Sequence, residues 1–283
     1  MTAELIDGPV VAEAIREEVA REAARLKQQT GKVPGLSVIL VGDNPVSHVY
    51  VDSIEKSAVE LGFWSDVHRL PATLNEEEIL KIIDELNRNE NVHGILVQVP
   101  LPDHIDDHKI LYAVTPEKDV DGFHPMNVGN LVIGNDSFIP CTPHGCLKML
   151  EYINYDLNGK HAVIVGRSNI VGKPMAMLLL QKNATITICH SQTANLSEIC
   201  RLADVLVVAV GRPEIVKRDW VKPGAVVIDV GINHVGNKIK GDVSFDEVSQ
   251  VAGYITPVPG GVGPMTITML LLNTLISFKR TNR

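Results

Sequence analysis

Positive charge is in short supply in this sequence, and so are cysteine and long apolar runs. Lysine and arginine number 26 against 34 aspartates and glutamates, a formal net charge of −8 over 283 residues. That balance argues against nucleic-acid and membrane-surface partners, which are held by neutralising phosphates with basic side chains. The four cysteines, Cys141, Cys146, Cys189 and Cys200, show no CxxC spacing and no paired histidine pattern. A disulfide scaffold is therefore excluded, and no metal site is expected. No stretch approaches the roughly 18 uninterrupted apolar residues of a membrane span. The N-terminal region is acidic from Glu4 onward and lacks a signal-peptide core. These absences together lead us to expect a soluble, cytoplasmic protein with reduced thiols.

What is present is an alternation of apolar strands and amphipathic helices. Hydrophobic residues make up 45% of the chain and charged residues 21%, the proportions of an ordinary globular protein. At roughly 100–200 residues per domain, the length suggests two domains. Val11, Ile15, Val19, Ala23 and Leu26 mark one face of a first helix that ends at Gly31. Residues 36–41 read as a buried strand, and a helix follows over about 46–61. Asn75 with Glu78 three residues on has the form of a capping box, and residues 93–99 read as a second buried strand. The turn-rich stretch 119–140 reads as an interdomain passage. Thr142-Pro143 then suggests an N-cap with proline at the first helical position. Beyond it the rhythm repeats, with strands at 161–165, 185–189, 205–210 and 225–229, and a final apolar helix over about 264–278 that should pack back on the first core. The expected fold class is α/β with two domains and a cleft between them. The second domain is a Rossmann-type, doubly wound parallel sheet.

The strand at 161–165 runs directly into Gly166-Arg167-Ser168-Asn169-Ile170-Val171-Gly172-Lys173-Pro174. Glycine after a buried strand permits a tight turn, and a helix N-terminus presents backbone N–H groups to an anion. The spacing departs from GxGxxG, with Ser168 where the second glycine would stand. NAD-binding sites of this type place an acidic residue about 20 positions on, at the ribose 2′-hydroxyl. Here no Asp or Glu occurs between Gln181 and Ser197. Arg167 and Ser191 offer instead a cation and a hydroxyl, which suit a 2′-phosphate and favour NADP. Two further segments have the character of shaped functional loops. One is Ile228–Asn233, where a strand ends, and the other is the proline- and glycine-rich run Pro257–Pro264.

Five segments in order resemble the methylenetetrahydrofolate dehydrogenase/methenyltetrahydrofolate cyclohydrolase family over nearly the whole chain. They are Val41–Pro45 through Tyr50, Gly94–Pro102, Lys118–Pro125, Gly166–Pro174 and Pro257–Thr266. The resemblance implies a cytosolic homodimer in which NADP accepts hydride from methylenetetrahydrofolate and the methenyl product is hydrolysed to formyltetrahydrofolate. It implies a folate-substrate domain over residues 1–139, completed by helix 264–283, and an NADP-binding domain over 140–263. It further implies that Tyr50 stacks on the folate rings, Gln98 lines the reaction centre and Asp121 hydrogen-bonds the pterin. Gly166, Arg167, Ser168, Ser191 and Ile232 would hold the cofactor, and Pro259, Gly260 and Gly261 would close on the substrate.

One position departs from the family pattern. The family carries a catalytic lysine four residues after the tyrosine, on the same helix face. Here Tyr50 is followed at that spacing by Ile54, which has no donor, acceptor or titratable proton. Lys56 lies two residues further along, about 200° round a helix from position 54. The expectation is a dehydrogenase with an impaired cyclohydrolase, the alternative being a catalytically silent folate- and NADP-binding dimer.

Overall fold

The structure, a computed structural model, describes residues 2–236 and 238–282. A short strand β1 (Glu4–Leu5) precedes the long helix α1 (Gly8–Thr30). Then come β2 (Gly35–Val41), α2 (Pro45–Glu60), β3 (Trp64–Leu70), α3 (Glu76–Arg88) and β4 (Gly94–Val97). Helices α4 (Asp107–Ala113), α5 (Pro125–Ile133) and α6 (Cys141–Tyr152) lead to β5 (His161–Val165), α7 (Gly172–Gln181), β6 (Thr185–Cys189), α8 (Leu196–Cys200), β7 (Val205–Val208) and β8 (Val226–Asp229). The remaining elements are β9 (Asn233–Val235), β10 (Lys238–Lys240), α9 (Phe245–Val248), β11 (Tyr254–Ile255) and α10 (Val262–Thr281).

These elements form two compact units. The first comprises the chain up to Glu13 together with Pro140–Thr266, and the second comprises Ala14–Ile139 and the chain from Ile267 onward. In the first unit six strands form a sheet in the order β1-β11-β8-β7-β5-β6, all paired in parallel. Strands β7 and β8 are buried throughout, as strands covered on both faces must be, which accounts for their unbroken Val/Ile/Leu character. The chain steps from β5 outward to β6, then crosses to β7 on the other side. That reversal is a topological switch point, where α/β sheets bind ligands at the strand C-termini. Residues 1–139, which the resemblance implied as one domain, are divided here between the two units. The N-terminal segment belongs to this unit because β1 extends the sheet, pairing Glu4 with Tyr254 and Leu5 with Ile255.

The second unit is built on a three-stranded parallel sheet, β3-β2-β4. The capping box at the start of α3 forms in both directions, Glu78 N–H donating to Asn75 and Asn75 N–H to the Glu78 carboxylate, each at 3.0 Å. The C-terminal part of α10 packs into this unit, as its apolar composition demanded. Asn273 Nδ2 donates to the carbonyls of Val120 and Ile139 at 2.8 and 3.0 Å, and Phe278 meets the His93 ring edge-on. By length and composition α10 would suffice to cross a membrane. Most of its apolar window is nevertheless buried, as in a core helix.

Other features differ from the sequence expectation. Strand β3 was not anticipated, because it pairs only with β2 and its residues are mostly half-buried, leaving no apolar run to read. Helix α5 lies inside the stretch expected to be an interdomain passage. It starts at Pro125 and ends at Gly134, which adopts φ +79° as a left-handed cap. Helix α6 begins at Cys141 with Pro140 as its N-cap. Thr142 does not cap, and its hydroxyl shares a hydrogen bond of 3.0 Å with that of Thr266.

Candidate active site

In the first unit, the turn after β5 is made possible by two glycines. Gly166 has φ +136°, and a side chain there would overlap the Ala209 carbonyl. A side chain at Gly172 would overlap the carbonyl of Gly166, so the two ends of the loop touch backbone to backbone. Ser168 ties the loop to α7. Its Oγ accepts from the N–H groups of Val171 and Gly172 at 3.1 and 3.3 Å, and its carbonyl accepts from Lys173 at 3.0 Å. The first-turn N–H groups of the helix are thus satisfied by Ser168 rather than left open for an anion. Exposed donors remain in the loop just ahead of the helix, where the Arg167 guanidinium is solvent-facing and has no ion pair among the described residues. Register brings Ser191 alongside, since Val165 pairs with Cys189 and Gly166 N–H donates to the Cys189 carbonyl at 2.9 Å. Arg167 and Ser191 therefore each lie two residues beyond a paired position, at one edge of the sheet. Ser191 is exposed.

The other side of the same sheet carries a pocket of about 220 Å³, whose walls include Ile232, Pro259, Gly260 and Gly261. Four of the expected site residues are thereby brought together. The pocket is built largely from backbone and aliphatic groups, with one carboxylate, Asp229, among its lining residues. Asp229 is buried and accepts N–H bonds from Gly231, Asp242 and Val243 at 3.0, 2.9 and 2.9 Å. Burial outweighs those donors and pushes its pKa up to about 7, with the neighbouring Asp242 adding in the same direction. Asp242, also fully buried, accepts from the N–H groups of Val210, Gly211 and Arg212 and from Asn233 Nδ2. Sequence reading missed this pair of carboxylates. Its signal was the two glycines beside it, Gly231 and Gly241, each of which would drive a side chain into one of the carboxylates.

In the second unit, Tyr50 lies on α2 and is half-buried. Gln98 follows β4, its N–H donating to the Ile39 carbonyl at 2.9 Å and its Nε2 to the Val99 carbonyl at 2.7 Å. The amide oxygen of Gln98 is thereby oriented as the remaining side-chain acceptor. Asp121 is half-buried on a turn held by Asp119. The Asp119 carboxylate accepts from the N–H groups of Phe123 and His124 and from Asn127 Nδ2, at 3.2, 2.8 and 2.8 Å. Burial raises the Asp119 pKa despite those donors. Asp119 is another residue the sequence reading passed over. Ile54 shares the inward stripe of α2 with Ser47, Val51 and Ala58 and is 0% exposed. Lys56 points elsewhere. Its side chain is 78% exposed, with the ammonium 3.9 Å from Glu60.

Comparison with known proteins fits this geometry. The family description "tetrahydrofolate dehydrogenase/cyclohydrolase, catalytic domain" matches residues 6–121, and "tetrahydrofolate dehydrogenase/cyclohydrolase, NAD(P)-binding domain" matches residues 140–282. The chain belongs to the tetrahydrofolate dehydrogenase/cyclohydrolase family. A bifunctional FolD protein of Moorella thermoacetica is 57% identical over 281 residues, covering 99% of this chain and all of the relative. The bifunctional FolD methylenetetrahydrofolate dehydrogenase/cyclohydrolase of Campylobacter jejuni superposes with a TM-score of 0.96 at 50% identity, covering 98% of this chain and 99% of that one. The Trypanosoma brucei FolD enzyme, solved with NADP and an inhibitor, gives 0.97 at 41% identity, covering 100% of this chain and 99% of that one.

Membership of the tetrahydrofolate dehydrogenase/cyclohydrolase family makes the first unit the NAD(P)-binding half, and its residues fit the cofactor. At Gly166 and Gly172 the backbone is packed too closely for any Cβ, which gives the tight strand-to-helix turn found in dinucleotide-binding sheets. Arg167 and Ser191, both exposed just beyond β5 and β6, supply a cation and a hydroxyl, groups of the kind a 2′-phosphate can take, and the pocket at Ile232 is lined mainly by aliphatic and backbone groups.

Proposed function

We propose that the chain oxidises 5,10-methylenetetrahydrofolate to the 5,10-methenyl cation with NADP, and hydrolyses that cation to 10-formyltetrahydrofolate only weakly. Ile54 carries this reading. Hydrolysis adds water to the cation and releases a proton, so a side chain must orient or deprotonate that water. Position 54 supplies nothing titratable, and it is fully buried. Lys56 faces Glu60 and solvent, which supports no substitute role for it. Losing one general acid–base group costs roughly 10²–10⁴-fold.

The oxidation makes lighter demands on side chains. NADP, when bound, accepts the hydride at its nicotinamide ring. The chain orients: Tyr50 offers an aromatic face to the folate rings, Gln98 an amide acceptor at the reaction centre and Asp121 a carboxylate for the pterin amine edge. We extend the reading to a cytoplasmic homodimer. The four cysteines are buried and none forms a disulfide, which supports a reducing compartment, and light scattering of the purified chain tests the dimer.

An absorbance time course with methylenetetrahydrofolate and NADP, following NADPH and the methenyl species together, tests the proposal. The expected result is NADPH formation with methenyltetrahydrofolate accumulating and decaying near the buffer rate. Fast decay would overturn the role given to position 54. Silence in both signals with active substrate would favour the alternative that Ile54 also motivates, a folate- and NADP-binding protein without turnover.

A further inference from the structure

The β9–β10 hairpin has no role in the reading above, yet one of its side chains reaches the pocket at the end of β8. Ile239 lines that pocket together with Ile232, and both are exposed, at 40% and 59%. An isoleucine left in water on a small hairpin is common enough. This one is held in place. The hairpin pairs Ile239 with His234 and Lys240 with Asn233, and its base is fastened at both ends. Asn233 Nδ2 donates to the Asp242 carboxylate at 2.9 Å and to the Lys240 carbonyl at 3.2 Å. The N–H groups of Asp242 and Val243 donate to Asp229 at the end of β8. Successive side chains of a strand face opposite ways. With Lys240 paired to Glu214 on one face, Ile239 is turned to the other, toward the pocket.

Position in the sheet says which part of a dinucleotide this wall would meet. Arg167 and Ser191 follow β5 and β6, whereas the pocket follows β8. From β8 to β5 is two strand spacings and to β6 three, so the two sites are about 10–14 Å apart at 4.7–4.9 Å per strand. A 2′-phosphate at the first site leaves the nicotinamide end for the second. We propose that Ile239 is a positioning residue for the nicotinamide ring, its side chain covering the ring from the hairpin side opposite the Pro257–Pro264 loop. This rests on the NADP-dependent dehydrogenase reading and adds a residue to it.

The test uses the full chain and two ligands, NADP and 2′,5′-ADP, the latter carrying the adenine and 2′-phosphate but no nicotinamide. Ile239→Ala removes part of the apolar cover, and about a threefold to eightfold rise in the NADP Kd follows from the area at stake. The Kd for 2′,5′-ADP stays unchanged, kcat for NADPH formation falls, and Ile239→Val restores most of both NADP readouts. Equal weakening of NADP and 2′,5′-ADP would make Ile239 a structural residue only and overturn the proposal, as would an unchanged NADP Kd and kcat. Failure of the parent chain to bind either ligand would instead bring down the dinucleotide reading itself, and the role of Ile239 with it.

Discussion

Replacing Ile54 with lysine asks whether the second activity of the family is absent for want of one amine. Ile54 is fully buried on the inward stripe of α2, so its exchange forfeits about 1.5–3 kcal/mol of apolar burial. Part of that returns because a lysine stem of four carbons packs like a hydrocarbon. A net loss of at least about 1–2 kcal/mol in unfolding free energy is expected by urea titration at alkaline pH, and a larger one near neutral pH, where burial costs the amine its charge. Burial lowers the pKa of an amine, so the neutral form that accepts a proton from water becomes available at lower pH than for a free lysine. Decay of methenyltetrahydrofolate, read by absorbance against an enzyme-free blank, should accelerate by about 10²–10⁴-fold. The rate should climb with pH until the amine is fully deprotonated. Ile54→Met, which keeps the volume but supplies no amine, should hydrolyse no faster than the parent. The reasoning is refuted if Ile54→Lys folds, forms NADPH and yet matches Ile54→Met in hydrolysis.

Other substitutions test the cofactor half. In Gly166→Ala the new Cβ meets the Ala209 carbonyl at a φ of +136°. A loss of at least about 2–3 kcal/mol in stability and of measurable NADP binding by calorimetry is expected. Arg167→Ala should weaken NADP by about 10–100-fold, the worth of a charge-assisted contact to phosphate, while leaving NAD binding nearly unchanged. Asp229 titrates near 7 when folded against an ordinary value of 3.8, so the folded state holds the extra proton between those values. Its contribution is therefore present at low pH and is lost as pH rises toward 7. Asp229→Asn should remove about 2 kcal/mol from the stability difference between pH 5 and pH 7 in urea titrations.

Much of this was legible in the sequence because the relevant signals are local. The tight turn after β5 was written in Gly166 and Gly172 directly after an apolar strand. The capping box at Asn75 and Glu78 formed as read. What escaped depends on partners distant in sequence. An edge strand such as β3, with Asp66, His68 and Arg69 in its seven residues, shows no period because it is only partly covered. Thr142 looked like a cap until Thr266 took its hydroxyl. Asp119 and Asp229 stood inside segments read as functional but were given no role of their own, and Asp242 was not singled out. Their burial became visible only once backbone N–H groups had converged on them from up to 32 residues away.

The pocket after β8 owes its form to where the main chain runs more than to what hangs from it. Gly231 and Gly241 leave no room for a Cβ, and Asp229 and Asp242 are spoken for by backbone donors. Most of its outline is consequently closed to revision one residue at a time. A change of ligand class would call for insertion or deletion in the loops, a rarer and harsher event than substitution. The exposed isoleucines Ile232 and Ile239 stand outside that constraint. They are where a lineage can adjust fit gradually, and where differences in cofactor grip between otherwise similar enzymes should accumulate.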